Sequence, residues 1–373
     1  MRVAFGQTVL ERGKNNSSLD GIGNYTRELF GALQQFDDIC LIPFSFSSTA
    51  LGHDSLQAGS FAPQALRSLL TKGSFKSISL KLENSVDIIH ATDHLIPRVN
   101  HVPVVATVMD AIPLTHPEWA FTRGRRLKKH FWQQTLRWAD HIITISNYSK
   151  EQLVSHLGLS EHQVTTIPLG VAQSWFQRPT TEQKETIFSR FNLPEQFFLF
   201  VGTIQPRKNL SLLLTAHALL PDNVRRAVPL VVVGRHGWGC RKELQQLRRG
   251  DEGSIRWLEY VSDADLIPIV GLSTALVFPS LLEGFGLPVL EAFAAGVPVV
   301  CANTTSLPEV AGEAALLFDP TNVSQLSQAM ERIVRDTQLA KSLCALGRQR
   351  AEQYSWDQTA RLTRDVYNDI CNR

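Results

Sequence analysis

The chain has 373 residues, of which 43% are hydrophobic and 19% are charged. This composition excludes a disordered or fibrous protein, and at about 100 to 200 residues per domain the length predicts two domains. Thirty-seven basic and 35 acidic residues leave a net charge of +2, which excludes the strongly basic surface of a dedicated nucleic-acid binder.

The N-terminus and the cysteines indicate the cellular compartment. MRVAFGQTV is typical of a strand rather than a signal peptide, and no apolar run reaches the roughly 18 residues of a membrane span. The five cysteines are scattered and form no CxxC pair, which favours buried thiols in a reducing compartment and argues against structural zinc. We therefore expect a cytoplasmic protein.

The first half alternates short β-branched runs with amphipathic segments, the pattern of parallel strands connected by helices. GIGNYTRELFGALQQF predicts a helix after the first strand, and FTRGRRLKKHFWQQTLRWAD fills the connection before the last one. These elements predict a first domain over residues 1–172. Its best predicted strands are VAFG (3–6), DIIH (87–90), VPVVATV (102–108) and HIITIS (141–146).

The segment 123–138, within that connection, combines positive charge with aromatic side chains. Such a basic helix predicts contact with anionic lipid or with a phosphorylated acceptor. The alternative is a solvated face whose aromatic side chains pack inward. The cations are Arg123, Arg125, Arg126, Lys128 and Lys129, and the aromatic residues are Phe131, Trp132 and Trp138.

A polar segment, AQSWFQRPTTEQKETIFSRFNLPEQ, is interpreted as a linker with a lead-in helix. The strands that follow predict a second domain over 173–355, and a last helix (356–373) is expected to cross back to the first domain. The fold class is therefore α/β, with two doubly wound, Rossmann-like domains facing across a cleft. The second strand series is FFLFVG (197–202), PLVVVG (229–234), SIRWL (254–258), ALVFP (275–279), PVVCA (298–302) and AALLF (314–318).

The loop after FFLFVG carries two adjacent cations, and ligands of such sheets bind at the carboxyl ends of strands. Arg207 and Lys208 follow the strand end at Gly202, and Asn209 is predicted to cap the next helix. A guanidinium and an ammonium beside a helix N-terminus suit a diphosphate. The alternative is a solvated charge pair on a turn.

Two glutamates bracket the glycine-rich turn EGFG after ALVFP. Glu283 lies in the turn, and Leu287 begins a helix that carries Glu291 about one turn further on. Gly284 and Gly286 let the backbone approach a ligand closely. Carboxylates accept hydrogen bonds from vicinal hydroxyls, so each glutamate is predicted to bind one sugar. A glycosidase acid–base pair stays open, as does a structural role with Glu283 solvated and Glu291 paired to a cation.

Four motifs of the second half occur in a fixed order: VGTIQPRKN, VVVG, SLLEGFGLPVLEAFAAGVPVV and SLPEVAGEAALLFDP. GIGNYTREL, DAIPLTHPE, ITISNYSKEQL and IPLGV continue the series in the first half. Together they resemble the retaining glycosyltransferases of family 4, which have the GT-B fold. The resemblance implies a nucleotide-sugar donor bound by the second domain and an acceptor bound mainly by the first.

The resemblance also implies roles for single residues. Arg207 and Lys208 hold the diphosphate, Glu291 holds the ribose hydroxyls, and Glu283 contacts the transferred sugar. A glycine turn at 21–23 lies near the phosphates and the sugar. The implied reaction retains the anomeric configuration without an obligatory metal, since the two cations and helix amides can stabilise the departing diphosphate. The implied donor-binding set is Gly21, Gly23, Gly202, Arg207, Lys208, Gly234, Glu283, Gly284, Phe285, Gly286, Leu287 and Glu291, and the catalytic set is Glu283, Asp110, Arg207 and Lys208.

One position departs from the family pattern. Many members have a histidine before an aspartate after the VPVVATV strand, whereas this chain has Met109 followed by Asp110. Asp110, His90 and His116 are candidates for the missing polar contacts, the two histidines on the acceptor side. The alternatives are a turn-capping aspartate and packed or surface histidines.

Three alternative functions fit parts of the sequence. GIGNYT (21–26) suggests an oxidoreductase, but it lacks the third glycine of a dinucleotide site and follows the long polar loop ERGKNNSSLD. A nucleotide-sugar epimerase or hydrolase on the same scaffold stays open. A noncatalytic carbohydrate-binding relative is expected to lose the two cations and the two glutamates, which are present here.

The motifs GIGNYTREL, DAIPLTHPE and QPRKN most resemble bacterial mannosyltransferases of polysaccharide and O-antigen assembly. The expected donor is GDP-mannose, with UDP- and dTDP-sugars as alternatives, and the expected acceptor is a glycan or a lipid-linked oligosaccharide at the inner face of the membrane. The base is expected near the loops after Gly234 and around Tyr260.

Overall fold

The structure is a computed structural model that describes residues 1–15, 21–46, 56–82, 85–120, 124–249 and 253–372. It consists of two compact units, Met1–Gly170 with Trp356–Arg373, and Val171–Ser355. Each unit is built around its own parallel sheet with helices in the connections.

The sheet of the first unit has the strand order β3-β2-β1-β4-β5-β6-β7 in the described residues, and its strand pairs are parallel. The residues of β4, β5 and β6 are all buried, as expected for parallel strands covered on both faces. The strands are β1 (Arg2–Gly6), β2 (Cys40–Ser45), β3 (Leu56–Gln57), β4 (Ile88–Ala91), β5 (Val104–Thr107), β6 (His141–Thr144) and β7 (Val164–Thr166).

The four strands predicted in this half are confirmed as β1, β4, β5 and β6, whereas β2, β3 and β7 were missed. The proline in CLIPFS argues against an inner strand, yet Pro43 lies opposite Phe5 in the ladder between β1 and β2. The other two strands are only two and three residues long. They are too short for a periodic pattern to predict them.

The helices of the first unit correct two expectations. Residues 11–15 of the predicted polar loop are helical, and 16–20 lie outside the described residues. Gly21 and Gly23 lie in the first turn of a helix and not in a glycine turn. The helices are α1 (Thr8–Asn15), α2 (Gly21–Leu33), α3 (Phe61–Thr71), α4 (Lys76–Leu82), α5 (Ile112–Thr115), α6 (Pro117–Ala120), α7 (Arg125–Leu136) and α8 (Asn147–Leu157), with a 3-10 turn at Glu161–Gln163.

The basic segment forms α7, but its aromatic side chains face the core. Trp132 is buried, Phe131 and Trp138 pack against the same core, and Trp138 contacts the ring of Phe75. For the aromatic side chains the second alternative is therefore confirmed, since they pack inward against the core. Arg123 lies outside the described residues. In the portion of the chain that the structure describes, no helix is long and apolar enough to cross a membrane.

The second unit has the strand order β10-β9-β8-β11-β12-β13 over the residues described, and its six predicted strands are all confirmed. They are β8 (Phe198–Val201), β9 (Leu230–Val233), β10 (Ile255–Leu258), β11 (Ala275–Phe278), β12 (Val299–Ala302) and β13 (Ala315–Phe318). The helices are α9 (Thr181–Phe191), α10 (Leu210–Ala218), α11 (Asp222–Ala227), α12 (Arg241–Arg249), α13 (Asp263–Leu272), α14 (Leu287–Ala294), α15 (Leu307–Ala311), α16 (Val323–Arg335) and α17 (Thr337–Ala351), with 3-10 turns at Gln173–Phe176 and Pro206–Lys208.

The last helix, α18 (Trp356–Cys371), belongs to the first unit. It packs on α2, and the hydroxyl of Thr359 donates to the carbonyl oxygen of Pro168 at 2.8 Å. Arg364 forms an ion pair with Asp38. The chain therefore leaves the first unit after Gly170 and returns to it at Trp356.

The cysteines are only partly buried. Cys240 and Cys301 are buried as expected, but Cys40 and Cys371 are exposed. The two exposed thiols lie at the first residue of β2 and the last residue of α18, where the elements end at the surface.

Candidate active site

The predicted residues of the second unit gather at the carboxyl ends of β8, β9 and β11. Gly202 and Gly234 follow β8 and β9 directly, with φ angles of 145° and 156°. A Cβ on Gly234 would lie 2.0 Å from the carbonyl oxygen of Gly202, so the two strand ends touch through their backbones. Only glycine fits at Gly234.

Arg207 and Lys208 lie in the short 3-10 helix that follows β8. The carbonyl oxygen of Arg207 accepts a hydrogen bond from the N–H of Leu281, which ties this turn to the loop after β11. Asn209 occupies the position before α10, but its side chain does not cap the helix. Its backbone is left-handed, and its amide instead donates to the carbonyl oxygens of Pro279 and Pro320. The capping prediction was wrong for this reason.

Glu283 lies between the two cations. Its Oε2 accepts from Nη1 of Arg207 at 3.0 Å, and its Oε1 accepts from Nζ of Lys208 at 2.5 Å. Lys208 and Glu283 are only 8% and 7% exposed. Nη1 of Arg207 also donates to the carbonyl oxygen of Leu282. Two cations and one carboxylate leave the buried cluster with one net positive charge.

The cluster is strongly coupled electrostatically. Burial by itself would raise the pKa of Glu283, but the charges of Lys208 and Arg207 outweigh burial and lower it. Burial lowers the pKa of Lys208, and the charge of Glu283 partly offsets that effect. Glu283 is therefore a buried, ionised carboxylate, and the alternative in which it is solvated is wrong.

The environment of Glu291 raises its pKa, whereas that of Glu283 lowers it. Glu291 lies partly buried on α14, and no ion pair to it occurs among the residues that the structure describes. Burial and the nearby charge of Asp263 raise its pKa to about 8. The alternative in which Glu291 pairs a cation is therefore also wrong. At neutral pH its carboxyl group is mostly protonated and can both donate and accept a hydrogen bond.

The EGFG turn is held by the loop between β12 and α15. The N–H of Glu283 donates to the hydroxyl of Thr305 at 3.2 Å, and the hydroxyl of Ser306 donates to the carbonyl oxygens of Glu283 and Phe285. Gly286 has a φ of 113°, and a Cβ there would lie 2.6 Å from Leu307. Sequence reasoning missed Thr305 and Ser306. Their one signal is the polar run TTS between β12 and α15.

Asp110 and Met109 follow β5 in the first unit. Oδ1 of Asp110 accepts from the N–H of Ile112 at 2.9 Å, which is the turn-capping arrangement. The hydroxyl of Ser149, at the start of α8, donates to the carbonyl oxygen of Met109. Burial and the charge of Asp110 raise the pKa of Tyr148. Tyr148 and Ser149 are therefore neighbours of this strand end that the sequence-based candidates did not include.

His90 is a packed core residue, which corrects the expectation that it contacts an acceptor. It lies inside β4 with 0% exposure, and its Nδ1 and Nε2 are hydrogen-bonded to the hydroxyls of Tyr367 and Thr107. The hydroxyl of Thr107 is bonded in turn to that of Tyr25 at 2.7 Å. Burial lowers the pKa of His90 to about 3, so the imidazole stays neutral.

Two of the other first-unit candidates, His116 and Gly21, are more accessible than His90. His116 is partly buried after α5, and its ring stacks on Trp119 with centroids 4.5 Å apart. Gly21 is exposed at the start of α2, whereas Gly23 is buried two residues later. Across the described ranges, no group of three or more His, Cys, Asp or Glu side chains is arranged to hold a metal ion.

Both units match models of known sequence families. Residues 19–174 match the model of "Glycosyltransferase Family 4", and residues 182–350 match that of "Glycosyl transferases group 1". The chain is 35% identical to the O-antigen chain mannosyltransferase B of Escherichia coli over 265 residues, 70% of this chain and 69% of that protein. It is 30% identical to the serotype-specific mannosyltransferase WbdA of Escherichia coli over 231 residues, which are 60% of this chain and 28% of that longer protein.

Solved structures share the fold. Sucrose-phosphate synthase from Thermosynechococcus elongatus superposes with a TM-score of 0.76 at 20% identity, covering 99% of both chains. Alr3699/HepE from Anabaena, solved in complex with UDP and glucose, gives a TM-score of 0.74 at 17% identity and covers 99% of this chain and 100% of its own. At these identities the likeness concerns the fold alone.

Proposed function

Because this chain belongs to glycosyltransferase family 4 and is a GT-B hexosyltransferase, we propose that it transfers mannose from GDP-mannose with retention of the anomeric configuration. The proposed acceptor is a glycan or a lipid-linked oligosaccharide of cell-surface polysaccharide assembly. The sugar and the acceptor class are supported by the 35% identity to an O-antigen chain mannosyltransferase. The donor site is supported by one observation above all, the buried cluster of Arg207, Lys208 and Glu283 beside the EGFG turn.

The cluster suits a diphosphate because its positive charge exceeds its negative charge. Arg207 is a fork donor and Lys208 a point charge, and a diphosphate can accept from both. In a buried site such donors stabilise the charge that develops on the leaving nucleoside diphosphate. In this proposal the departing phosphate takes the proton of the acceptor hydroxyl, and neither a separate base nor a metal ion is required.

The two glutamates have different roles in donor binding in this proposal. Each carboxylate oxygen of Glu283 accepts one hydrogen bond from a cation and keeps a further lone pair for a hydroxyl of the transferred sugar. Glu291, with its pKa raised to about 8 by burial, can accept from one ribose hydroxyl and donate to the other. The glutamates thus bind different sugars while the cations bind the phosphates between them.

The base is proposed to bind beside the loops after β9 and β10. Tyr260 is 53% exposed, and the guanidinium of Arg235 lies 4.3 Å from the centroid of its ring. A planar base can stack on such a surface, but stacking alone does not select guanine. UDP-sugars are the second candidate donors, because the similar Anabaena protein was solved with UDP and glucose.

The proposal is tested first with a panel of GDP, UDP, dTDP, CMP and NAD on the purified protein. A ligand that binds only the folded state raises its stability, by about 2.7 kcal/mol at a concentration of 100 times Kd. We expect GDP to raise the unfolding temperature most. In a transfer assay with labelled GDP-mannose, we then expect the protein to transfer mannose to lipid-linked oligosaccharide. A larger shift with UDP or dTDP would reassign the donor, and a shift with NAD alone would refute a nucleotide-sugar site.

A further inference from the structure

The acidic turn of the candidate site is held by a loop from a different strand. Both backbone polar groups of Glu283 are bonded to residues 22 and 23 positions further along the chain. Its N–H donates to the hydroxyl of Thr305, and its carbonyl oxygen accepts from the hydroxyl of Ser306. The backbone on both sides of the Cα of Glu283 is therefore held by the loop after β12.

Thr305 adopts an unfavourable backbone conformation to make this contact. Its φ is 57°, in the left-handed region, where a branched Cβ is crowded by the backbone. The other non-glycine residues with positive φ among those described are Lys72, Asn192 and Asn209, and none of them is β-branched. A glycine would avoid the crowding, but it would offer no hydroxyl to the N–H of Glu283. Strain of this kind points to a role that compensates for it.

The held backbone determines where the carboxylate of Glu283 points. The side chain leaves a Cα that is bonded on both sides, and it ends between Nη1 of Arg207 and Nζ of Lys208. Ser306 is fully buried and also bonds the carbonyl oxygen of Phe285, so it belongs to the packing of the turn. Within the described part of the chain, the hydroxyl of Thr305 is bonded only to the N–H of Glu283.

We propose that Thr305 is a positioning residue of the transfer reaction, whose hydroxyl fixes the backbone of Glu283 so that the carboxylate stays between the two cations and beside the transferred sugar. This inference rests on the proposed function, because it assumes that the sugar of the donor binds at Glu283. Thr305 acts through Glu283 and does not itself contact the donor.

Two substitutions separate the hydroxyl from the shape of the side chain. Thr305→Ser keeps the hydroxyl and loses the branch, and Thr305→Val keeps the branch and loses the hydroxyl. We expect the serine variant to transfer within about twofold of the wild-type rate, and the valine variant to lose roughly tenfold in kcat. We expect the KM for the nucleotide sugar to change by less than about threefold, since Arg207 and Lys208 remain in place.

A double variant tests whether Thr305 acts through Glu283. Glu283→Gln removes the charge that Thr305 positions, so adding Thr305→Val to it is expected to lower kcat by less than about twofold further. If the two losses multiplied in full, Thr305 would act independently of Glu283 and the inference would be overturned.

Thermal unfolding of each variant, with and without pyrophosphate, controls for folding. If the valine variant does not fold, Thr305→Ala replaces it, because alanine lacks both the hydroxyl and the branch and is expected to show the same loss. A folded valine or alanine variant with wild-type kcat would overturn the inference, as would a serine variant that is equally impaired. If the wild-type enzyme transferred no hexose from any nucleotide sugar, the proposed function itself would fail.

Discussion

Glu283 places a buried negative charge beside Arg207 and Lys208, the two cations that are proposed to bind the diphosphate. Its carboxylate neutralises one of the two cations, and its pKa stays low because their charges outweigh the effect of burial. Removing one partner of a buried ion pair leaves the other charge uncompensated. The carboxylate therefore stabilises the unliganded protein, and we expect it to compete with the proposed diphosphate for the same two donors.

Glu283→Gln is accordingly expected to change stability and anion binding in opposite directions. The unliganded variant should lose about 2 to 4 kcal/mol in free energy of unfolding, because Arg207 and Lys208 lose their counter-ion. Pyrophosphate, which tests the cations independently of the base, should then raise the unfolding temperature more than in the wild type. Thermal unfolding with and without pyrophosphate measures both effects.

A matched control is Glu331→Gln, since that carboxylate forms its ion pair with Arg335 at the surface of α16. It should alter neither the stability nor the pyrophosphate shift by a measurable amount. A Glu283→Gln variant with a smaller pyrophosphate shift than the wild type would contradict the competition.

The raised pKa of Glu291 predicts a pH dependence of stability. Its folded pKa of about 8 lies above the unfolded value of about 4.3, so the folded state binds the proton more tightly. The stabilisation is complete below pH 4.3 and is lost as the pH rises through 8. Glu291→Gln removes this loss, so it should be more stable than the wild type at pH 9 by roughly 2 kcal/mol after solvent screening.

Unfolding temperatures of both proteins, measured from pH 5 to 9, test this expectation. The two curves should lie closest at pH 5 and separate as the pH rises. Parallel curves would show that Glu291 is ionised at neutral pH. The variant should also bind GDP more weakly if the carboxyl group accepts from the ribose hydroxyls.

Among the elements, α7 shows how one helix serves both the core and the surface. Trp132 and Leu136 are buried on one face, whereas Arg125, Arg126 and Lys128 are exposed on the other. Leu127 lies among these cations and is 75% exposed. The exposed cations are the ones that the sequence-based hypothesis of contact with anionic lipid requires, whereas Trp132 is buried.

Reversing the charges at Arg125, Arg126 and Lys128 to glutamate should weaken binding to vesicles that contain anionic phosphatidylglycerol. At about 1 kcal/mol per cation near the surface, losing the three cations weakens binding on the order of a hundredfold at low salt, and repulsion by the new carboxylates adds to this loss. Vesicle co-sedimentation measures it. The control is the same reversal at the exposed Arg241, Arg248 and Arg249 of α12, which should have a much smaller effect. Equal losses would indicate nonspecific charge attraction.

At the scale of the whole molecule, each unit places its candidate residues at the carboxyl ends of parallel strands. Gly202, Arg207, Lys208 and Glu283 follow β8 and β11 in the second unit, and Asp110 follows β5 in the first. In the second unit the positive charge beside Glu283 comes from the side chains of Arg207 and Lys208. In the proposed reaction these protein cations stabilise the leaving diphosphate, a role that a metal ion has in other transferases.

Treatment with EDTA is therefore expected to leave the rate of mannose transfer unchanged within about twofold, because Arg207 and Lys208 supply the stabilisation of the leaving diphosphate. In the Lys208→Ala variant, assayed in parallel, the rate of mannose transfer should fall at least about a hundredfold. A loss of activity with EDTA that Mg²⁺ restores would contradict the expectation.

The sequence by itself determined the strands with strong apolar runs, the two-domain α/β class and the family. Buried parallel strands appear as short apolar runs in the sequence. The order of the family motifs can also be recognised without knowledge of the packing around them. It also indicated Arg207, Lys208, Glu283 and Glu291, because chemistry-bearing residues after a strand fall at the same edge of the sheet. The short strands β3 and β7 offered no pattern of sufficient length.

Only the tertiary structure decided how those residues are paired. Glu283 pairs with Arg207 and Lys208 because β11 lies beside β8 in the sheet, and that order is set by packing across the whole unit. The same holds for Thr305, whose loop reaches Glu283 from the neighbouring β12, and for His90, which is buried between Thr107 and Tyr367. Local windows encode backbone preference and burial, whereas contacts between distant segments depend on strand order, which no local window contains.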